Sequence, residues 1–227
     1  MLDSRLALCA ETVTGDFVCD IGTDHAYLPC ELVASGKCRG GIGADVNSKP
    51  LEFAAATVEK YGLSDKIKLV LSDGLADVDT SEVTDIVIAG MGGELISRIL
   101  SDGLRLNKFG SDTGLILQPM TRAAELRRYL CAEGYEIVSE NAAVDGRFTY
   151  SVIRAVHSGK CSECDDVREE LGALDMSLPE SKKYAAAQSE RLKKIAEGLS
   201  KSGKTEEAEK YSSLAKRICT AAEIRME

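Results

Sequence analysis

The sequence predicts an α/β fold in which a parallel sheet ends in an antiparallel hairpin and an antiparallel helical hairpin follows. Three observations predict it. Short apolar runs alternate with amphipathic helical segments through the first part of the chain. Two strand-like runs, 135–143 and 148–156, then flank the turn signal Asp145-Gly146. Two long helical patterns, roughly 180–200 and 205–226, end the chain, and the connection between them is short enough only for an antiparallel pair.

Length and composition set the number of domains and the class of protein. The 227 residues suffice for one full α/β domain and a smaller unit, which we predict at 1–159 and 160–227. A net charge of −9 excludes a generally basic surface, although it leaves room for a local basic patch. No apolar stretch approaches the ~20 residues of a membrane span, and the N-terminus lacks the blocks of a signal peptide. We therefore expect a cytoplasmic protein without a membrane anchor, whose eight cysteines are reduced; Cys9, Cys19 and Cys30 resemble small core residues.

The first buried strand, 17–21, runs into an acidic turn, Asp20-Ile21-Gly22-Thr23-Asp24. A dinucleotide site would need Gly-x-Gly-x-x-Gly here, because a pyrophosphate must lie against bare backbone, but Asp24 and Tyr27 occupy the later glycine positions. Two carboxylates around one glycine suit a ligand with a positive end and no phosphate at this point. S-adenosylmethionine (SAM), with its amine and sulfonium, has that character. An ordinary strand-to-helix turn is the alternative interpretation.

The next two strands also end in carboxylates. Strand 41–45 ends in Asp45, 25 residues after Asp20, where an acid usually accepts hydrogen bonds from a ribose diol. Strand 67–71 is followed by Asp73 and Gly74, and a carboxylate at that position can accept a hydrogen bond from an adenine amino group. Both acids are expected at the ligand-binding edge of the sheet.

Strands four and five are predicted at 85–89 and 114–117, each followed by a loop. The first loop, Gly90-Met91-Gly92-Gly93, has three glycines that let backbone approach a bound group closely; a merely flexible loop is the alternative. The second loop is Gln118-Pro119-Met120. Helices are predicted between the strands, at 3–13, 27–35, 48 to about 61, after Gly93, and 123–133.

From Ser158 the composition predicts a linker, followed by a short helix at about 165–175. The apolar stripes of the last two helices are thin and rich in alanine, so the helical hairpin must lean on the main domain or on a partner. His157, Cys161 and Cys164 have a spacing that would supply three zinc ligands, but a second cysteine pair is missing, and we expect no metal.

Taken together, four sequence motifs resemble those of one known family. They are Asp20-Ile21-Gly22-Thr23-Asp24-His25-Ala26-Tyr27-Leu28-Pro29, Ser72-Asp73-Gly74-Leu75, Ile88-Ala89-Gly90-Met91-Gly92-Gly93 and Leu117-Gln118-Pro119. The family is that of the bacterial tRNA adenine(22)-N1-methyltransferases, and the likeness covers nearly the whole chain. It implies a class I methyltransferase (Rossmann-like) fold with a C-terminal helical hairpin or coiled coil. It also implies SAM as methyl donor and N1 of adenine 22 in tRNA as acceptor.

The resemblance also implies roles for individual residues. The implied cofactor-binding residues are Asp20, Gly22 and Asp24 near the methionine part of SAM, Asp45 at its ribose, Asp73 and Gly74 at its adenine, and Gly90, Met91 and Gly92 on the sulfonium side. The implied catalytic residues are Asp24, His25 and Tyr27, with Tyr27 as a stacking surface for an extruded adenine. Adenine N1 already has a lone pair, so the enzyme must mainly orient it and stabilise the charge that develops on the base. A turn histidine bonded to backbone is the alternative for His25, and no Asn-Pro-Pro-Tyr loop follows strand four.

The basic residues predict where tRNA is held. Residues 1–159 carry 15 Lys and Arg against 23 Asp and Glu, a net charge of −8, whereas residues 160–227 carry 13 against 14, a net charge of −1. A solvated helical face with paired charges is the common explanation of such a balance. With the resemblance, we predict instead a tRNA surface on the helical hairpin and beside the strand-five loop. Its predicted residues are Arg122, Arg127, Arg128, Lys182, Lys183, Lys193 and Lys194.

Three other functions remain open at this point. The first is a SAM-dependent enzyme that acts on a different RNA, a small molecule or a protein. The second is a nucleotide-binding oxidoreductase. The third is a non-catalytic interaction protein built around the helical hairpin. The missing glycines and the terminal β-hairpin count against the oxidoreductase. No obligate protein partner is evident.

Overall fold

A computed structural model describes residues 2–224, and seven strands in it form one mixed sheet. The strands are β1 (Phe17–Ile21), β2 (Gly40–Asp45), β3 (Ile67–Leu71), β4 (Asp85–Gly92), β5 (Gly114–Thr121), β6 (Tyr135–Asp145) and β7 (Phe148–His157). They lie in the order β3-β2-β1-β4-β5-β7-β6. β1 to β5 are parallel, and β7 is antiparallel to both β5 and β6. The predicted parallel sheet with a terminal hairpin is confirmed.

Eight helices accompany the strands within the described residues. They are α1 (Ser4–Thr12), α2 (Tyr27–Ala34), α3 (Ser48–Lys60), α4 (Gly93–Arg105), α5 (Ala123–Ala132), α6 (Asp166–Leu171), α7 (Pro179–Lys201) and α8 (Thr205–Ala221). The predicted helix at 165–175 is too long, because Gly172 has a φ of +65° and a side chain there would overlap the Glu140 carboxylate. α8 also ends before the predicted 226, a position outside the described residues.

The sheet is buried on both faces because successive strand residues point to opposite sides. On one face Cys19 and Ile21 pack with residues of α4 and α5, and on the other Val18 packs with residues of α1, α2 and α3. Cys9, Cys19 and Cys30 are fully buried in these clusters, as predicted. Burial raises the pKa of the Cys9 thiol to about 12, so it stays protonated and inert at neutral pH.

β4 and β5 run further than the sequence predicts. The segments expected to be loops continue the ladder, since Met91 pairs with Pro119 and Gly92 with Thr121 across two register shifts. Gly90, at a φ of +80°, accommodates the irregularity. The glycine-rich segment is therefore held in the sheet, and the flexible-loop alternative does not apply.

The C-terminal helices form the predicted antiparallel pair and rest on the main sheet. α7 packs along α8 and also against β6 and β7, while α6 packs against α5. Leu192 on α7 and Ile218 on α8 are fully buried in the small core between the helices. The boundary predicted near residue 159 falls just after β7, but the helices beyond it share an extensive contact with the sheet.

Arg127 on α5 connects the sheet to the C-terminal helices. Its side chain is completely buried, and its Nη2 lies 2.6 Å from Oε1 of Glu140, whose side chain is also completely buried. The same guanidinium donates hydrogen bonds to the backbone carbonyls of Glu169 and Glu170 and to the hydroxyls of Ser151 and Tyr184. The prediction that Arg127 contacts tRNA is therefore wrong, because every face of the group is occupied inside the protein.

We predict that Arg127→Met destabilises the fold by about 3–5 kcal/mol, since Glu140 keeps its buried charge without a partner. Urea denaturation would measure the loss. Replacing Glu140 by Leu in the same chain should recover part of it, because the uncompensated charge is then gone. Arg128→Met is the control: Arg128 is exposed and pairs with Glu169, so its loss should be below about 1 kcal/mol. Equal effects of the two single variants would contradict the role given to Arg127.

Candidate functional site

Two adjoining cavities open at the carboxyl ends of β1, β2 and β4. The chain passes from β1 outward to β2 and β3 and then returns to β4 on the other side of β1, so this edge is the topological switch point at which α/β sheets bind ligands. The Asp45 cavity measures about 290 Å³ and the His25 cavity about 260 Å³. Both are lined by Gly22, Ala89 and Gly90, which form the wall between them.

The Asp45 cavity brings together most of the predicted cofactor residues. Gly22, Asp45, Asp73, Gly74, Gly90 and Met91 all line it. Three others do not: Gly92 precedes the first turn of α4, and Asp20 and Asp24 line the His25 cavity instead. The carboxylate of Asp45 accepts a hydrogen bond from the backbone N–H of Asn47 at 2.9 Å, which holds the strand end in a tight turn. A second carboxylate oxygen remains for a ligand.

The sequence suggested that Asp73 is a free hydrogen-bond acceptor, but in the structure it is already paired. Nη2 of Arg98 lies 3.0 Å from Oδ1 of Asp73, and this hydrogen bond holds the pKa of the carboxyl below its usual value. Arg98, from α4, is the cation that lines this cavity, and its charge is taken up by Asp73. A pyrophosphate would find no unpaired cation here, which counts against a dinucleotide.

The backbone conformation favours glycine at position 22. Its φ is +74°, and a Cβ there would overlap the side chain of Met91. The backbone N–H groups of Gly22 and Thr23 both donate to the carbonyl of Ala44, which ties the turn to β2. Met91 can therefore lie directly over the turn, and the wall between the two cavities stays thin.

The His25 cavity contains the three predicted catalytic residues. Asp24 and Ala26 adopt left-handed backbone conformations, φ +49° and +55°, around His25. Nε2 of His25 lies 3.8 Å from Oδ2 of Asp24. The His25 ring stacks on Tyr27, with centroids 5.3 Å apart and planes 12° apart. Within residues 2–224 His25 makes no hydrogen bond to backbone, so the structure does not support the alternative of a backbone-bonded turn histidine.

Phe53 adjoins the His25 cavity through its contact with His25 without lining the cavity, and sequence reasoning missed it. Its ring centroid on α3 lies 5.2 Å from that of His25, and Tyr27 and Phe53 are each 47 % exposed. Three aromatic rings thus form a partly open platform, a surface on which a nucleobase can stack. In the sequence Phe53 is one more apolar residue of an amphipathic helix, and no local signal separates it from the others.

Asp20 lines the His25 cavity, two residues before Gly22 of the shared wall. It is only 5 % exposed, and it accepts a hydrogen bond from the Thr23 hydroxyl at 2.7 Å. Burial raises the pKa of its carboxyl to about 6, while that hydrogen bond and the charge of Arg5 act in the opposite direction. A buried carboxylate that lines the His25 cavity favours a cationic ligand nearby, whose charge would stabilise the ionised form.

Arg5 and Gln118 also escaped the sequence analysis as site residues. The buried Oε1 of Gln118 accepts from the backbone N–H of Gly90 at 3.0 Å and from Nη1 of Arg5 at 2.8 Å. Its Nε2 donates to the carbonyl of Pro119. One side chain thus fixes the β4 bulge and places a guanidinium on the wall of the His25 cavity. In the sequence, only the Leu117-Gln118-Pro119 motif pointed to Gln118, and nothing pointed to Arg5.

The remaining predicted tRNA residues are at least partly accessible, and most are paired. Arg122 contacts Glu94 at 3.1 Å, and Arg128 contacts Glu169. Lys193 and Lys194 both lie near Glu190, at 3.9 and 3.7 Å. Lys182 is partly buried and Lys183 is exposed. The four lysines all lie on α7, and the role of all six residues in RNA binding stays a prediction.

Neither a metal cluster nor a membrane helix is found in the described part of the chain. No group of three or more His, Cys, Asp or Glu side chains there is placed to hold a metal ion. His157 instead packs edge-on against Tyr135, at a centroid distance of 4.9 Å. Among residues 2–224 no helix is long and apolar enough to span a membrane.

Comparison with known proteins agrees with this geometry. A family model described as a methyltransferase domain matches residues 2–153. The tRNA (adenine(22)-N(1))-methyltransferase of Bacillus subtilis is 36% identical over 174 residues, which are 76% of this chain and 72% of that protein.

Two solved structures extend the similarity to the C-terminal helices. The B. subtilis m1A22 tRNA methyltransferase TrmK superposes with a TM-score of 0.78 at 28% identity, covering 96% of this chain and 98% of that one. The structure of M. capricolum TrmK with the cofactor product S-adenosyl-homocysteine has a TM-score of 0.77 at 26% identity, with the same coverage.

Asp20 allows a test of the site without any ligand. Because its pKa is raised on folding, its contribution to stability is fully present below about pH 4 and is lost as the pH rises through about 6. Asp20→Asn mimics the protonated form and should raise the free energy of unfolding by about 1–3 kcal/mol at pH 7.5 and change little at pH 3.5. Urea denaturation at both pH values measures this. Asp24→Asn, at an exposed carboxylate, is the control; a gain at pH 7.5 no larger than that of the control would refute the assignment.

Proposed function

This chain belongs to the family of tRNA (adenine(22)-N(1))-methyltransferases, which are SAM-dependent enzymes, and we propose that its two cavities carry out methyl transfer to N1 of adenine 22 in tRNA. The observation that carries the proposal is the thin wall shared by the cavities. A carboxylate-lined cavity for a nucleoside and an aromatic-lined cavity for a base meet at Gly22 and Gly90. Donor and acceptor can therefore approach each other at one point.

The Asp45 cavity fits SAM. Asp45 has a carboxylate oxygen for a ribose diol, and Gly74 and Ile99 line the region where a flat adenine would lie. Asp20 supplies a buried negative charge on the other side of the shared wall, in the His25 cavity. When bound, SAM supplies an electrophilic methyl group on a sulfonium. Gly22 and Gly90 let backbone come close to it, and Met91 covers the turn and excludes water.

The His25 cavity is where the target adenine belongs. Tyr27 and Phe53 offer ring faces for an extruded base, and the stacked His25 holds Tyr27 in place. Asp24, beside His25, is a carboxylate that can stabilise the positive charge developing on the base as N1 forms its new bond. No general base is needed, since the attacking nitrogen already carries a lone pair.

The helical hairpin is the proposed grip on the rest of the tRNA. Lys183 and Lys194 are exposed on α7, and Arg122 lies on the same edge of the sheet as the cavities. The two lysines can contact phosphates at a distance from the target base. With a tRNA substrate, the proposed location of the protein is the cytoplasm, and we propose no obligate protein partner.

The function is tested with an unmodified tRNA transcript and a transcript in which guanine replaces adenine 22. Methylation should occur only on the first. His25→Ala and Tyr27→Ala should each lower kcat about 10–100-fold and leave the Kd for SAM within about twofold, because these residues orient the base. Calorimetry with SAM and a methyl-transfer assay give the two quantities.

Asp45→Ala is the matched variant in the other cavity. It should raise the Kd for SAM at least about tenfold, since a charged acceptor for two hydroxyls is lost. The assignment of roles fails if the His25 and Tyr27 variants lose SAM affinity in proportion to activity. Transfer of methyl groups to the guanine-22 transcript would instead point to a different acceptor.

The tRNA grip is tested by charge reversal. Replacing Lys183 and Lys194 by Glu should raise the KM for tRNA several-fold and flatten its dependence on salt, because fewer counterions are released on binding. The control reverses Lys60 and Lys66, two exposed lysines beside β3 at the opposite edge of the sheet. If both pairs change KM alike, net charge rather than the helical hairpin is responsible.

A further inference from the structure

A third cavity lies between the sheet and the helical hairpin, and nothing in the reaction described above uses it. It measures about 230 Å³ and opens between the ends of β5 and β7 and the side of α7. We call it the α7 cleft. The residues that line it include Thr121, Arg122, Thr149, Tyr150, Gln188 and Arg191.

The α7 cleft offers hydrogen-bonding groups that the protein does not use itself. Within residues 2–224 the hydroxyls of Thr121, Thr149 and Tyr150 make no hydrogen bond. Oε1 of Gln188 accepts from Nε of Arg191 at 3.0 Å, which orients the amide and leaves its NH2 group as a donor. A ligand would thus meet several donors and acceptors, together with the rings of Tyr150 and Tyr184, which both line the cleft.

The charges in the α7 cleft are balanced, which decides the kind of ligand. Nη2 of Arg191 lies 2.6 Å from Oε2 of Glu170, and Nη1 of Arg122 lies 3.4 Å from Oε1 of Glu125. Both carboxylates line the cleft beside the arginines that they neutralise. A phosphate would gain little here, whereas a neutral heterocycle would lose nothing. The volume is below the roughly 300–1,000 Å³ of typical small-molecule sites and suits a single base.

The position of the α7 cleft connects it to the methyl-transfer site. Thr121 on its rim pairs with Gly92 on β4, one residue after Met91 of the Asp45 cavity. Arg122 reaches back to Glu94 at the start of α4. A strand of RNA held by the helical hairpin, with one base in the His25 cavity, would cross this cleft.

We propose that the α7 cleft binds a second nucleobase of the tRNA, different from the adenine that is methylated. This inference rests on the proposed function, since it takes the RNA to be the substrate. The bound base hydrogen-bonds to Gln188 and to the hydroxyls of Tyr150 and Thr149 and stacks on the Tyr150 ring or a guanidinium plane. Its role is to fix the register of the RNA strand relative to the methyl donor.

The first experiment combines Tyr150→Phe with Gln188→Ala in the full chain. The KM for the tRNA transcript should rise about three- to tenfold, while the kcat at saturating tRNA and the Kd for SAM stay within about twofold. The slope of KM against salt should not change, because no phosphate contact is removed. Ser200→Ala, at an exposed position of α7 outside the cleft, should match the wild type. An unchanged KM, or a flatter salt slope, overturns the proposal.

The second experiment identifies the base. Transcripts with a single abasic nucleotide at each unpaired position other than 22 are assayed with the wild type and with the double variant. One position should raise the wild-type KM about three- to tenfold and have no further effect in the variant. If every abasic position affects both proteins equally, the cleft binds no base. A wild type that fails to methylate the intact transcript contradicts the proposed function itself, which separates the two failures.

Discussion

The buried ion pair of Arg127 and Glu140 determines how the two parts of this protein sit together. Replacing such a pair by apolar residues is often neutral for stability, so its value here lies in specificity. Each N–H of the guanidinium needs an acceptor at one place, and the carbonyls of Glu169 and Glu170 supply two of them at the end of α6. The carboxylate of Glu140 in turn accepts from the N–H of Ala173. Only one placement of the C-terminal helices against β6 and β7 satisfies all of these groups.

A second polar arrangement fixes the edge of the sheet at which the two cavities open. Gln118 fixes the bulge of β4 at Gly90 and holds Arg5 beside it. Asp20 lies below the same turn with a carboxyl whose ionised form is disfavoured by burial. The apo protein thus retains a local cost at neutral pH, which a cationic ligand would relieve, and this exchange of stability for binding is common at functional sites.

The sequence predicted those features that depend on neighbouring residues. Hydrophobic periodicity and turn residues located every strand and helix to within a few positions, and the acidic turn at Asp20 to Asp24 indicated the ligand edge. Features that depend on distant residues were missed. The extension of β4 past Gly90 needs the partner strand at Pro119, and the burial of Arg127 on α5 needs Glu140 on β6. Phe53 and Arg5 reach the site only through tertiary packing, so their local sequence gives no sign of it.

The docking of α7 on the sheet has a consequence for how the proposed enzyme would select one nucleotide. With 23 residues, α7 is about 34 Å long, and its first turns are anchored to the sheet through Tyr184. If the helical hairpin holds RNA as proposed, its docking on the sheet sets the spacing between that contact and the aromatic platform. Selection of one adenine then becomes a measurement of length along folded RNA, which tolerates changes of sequence but not insertions between the two points.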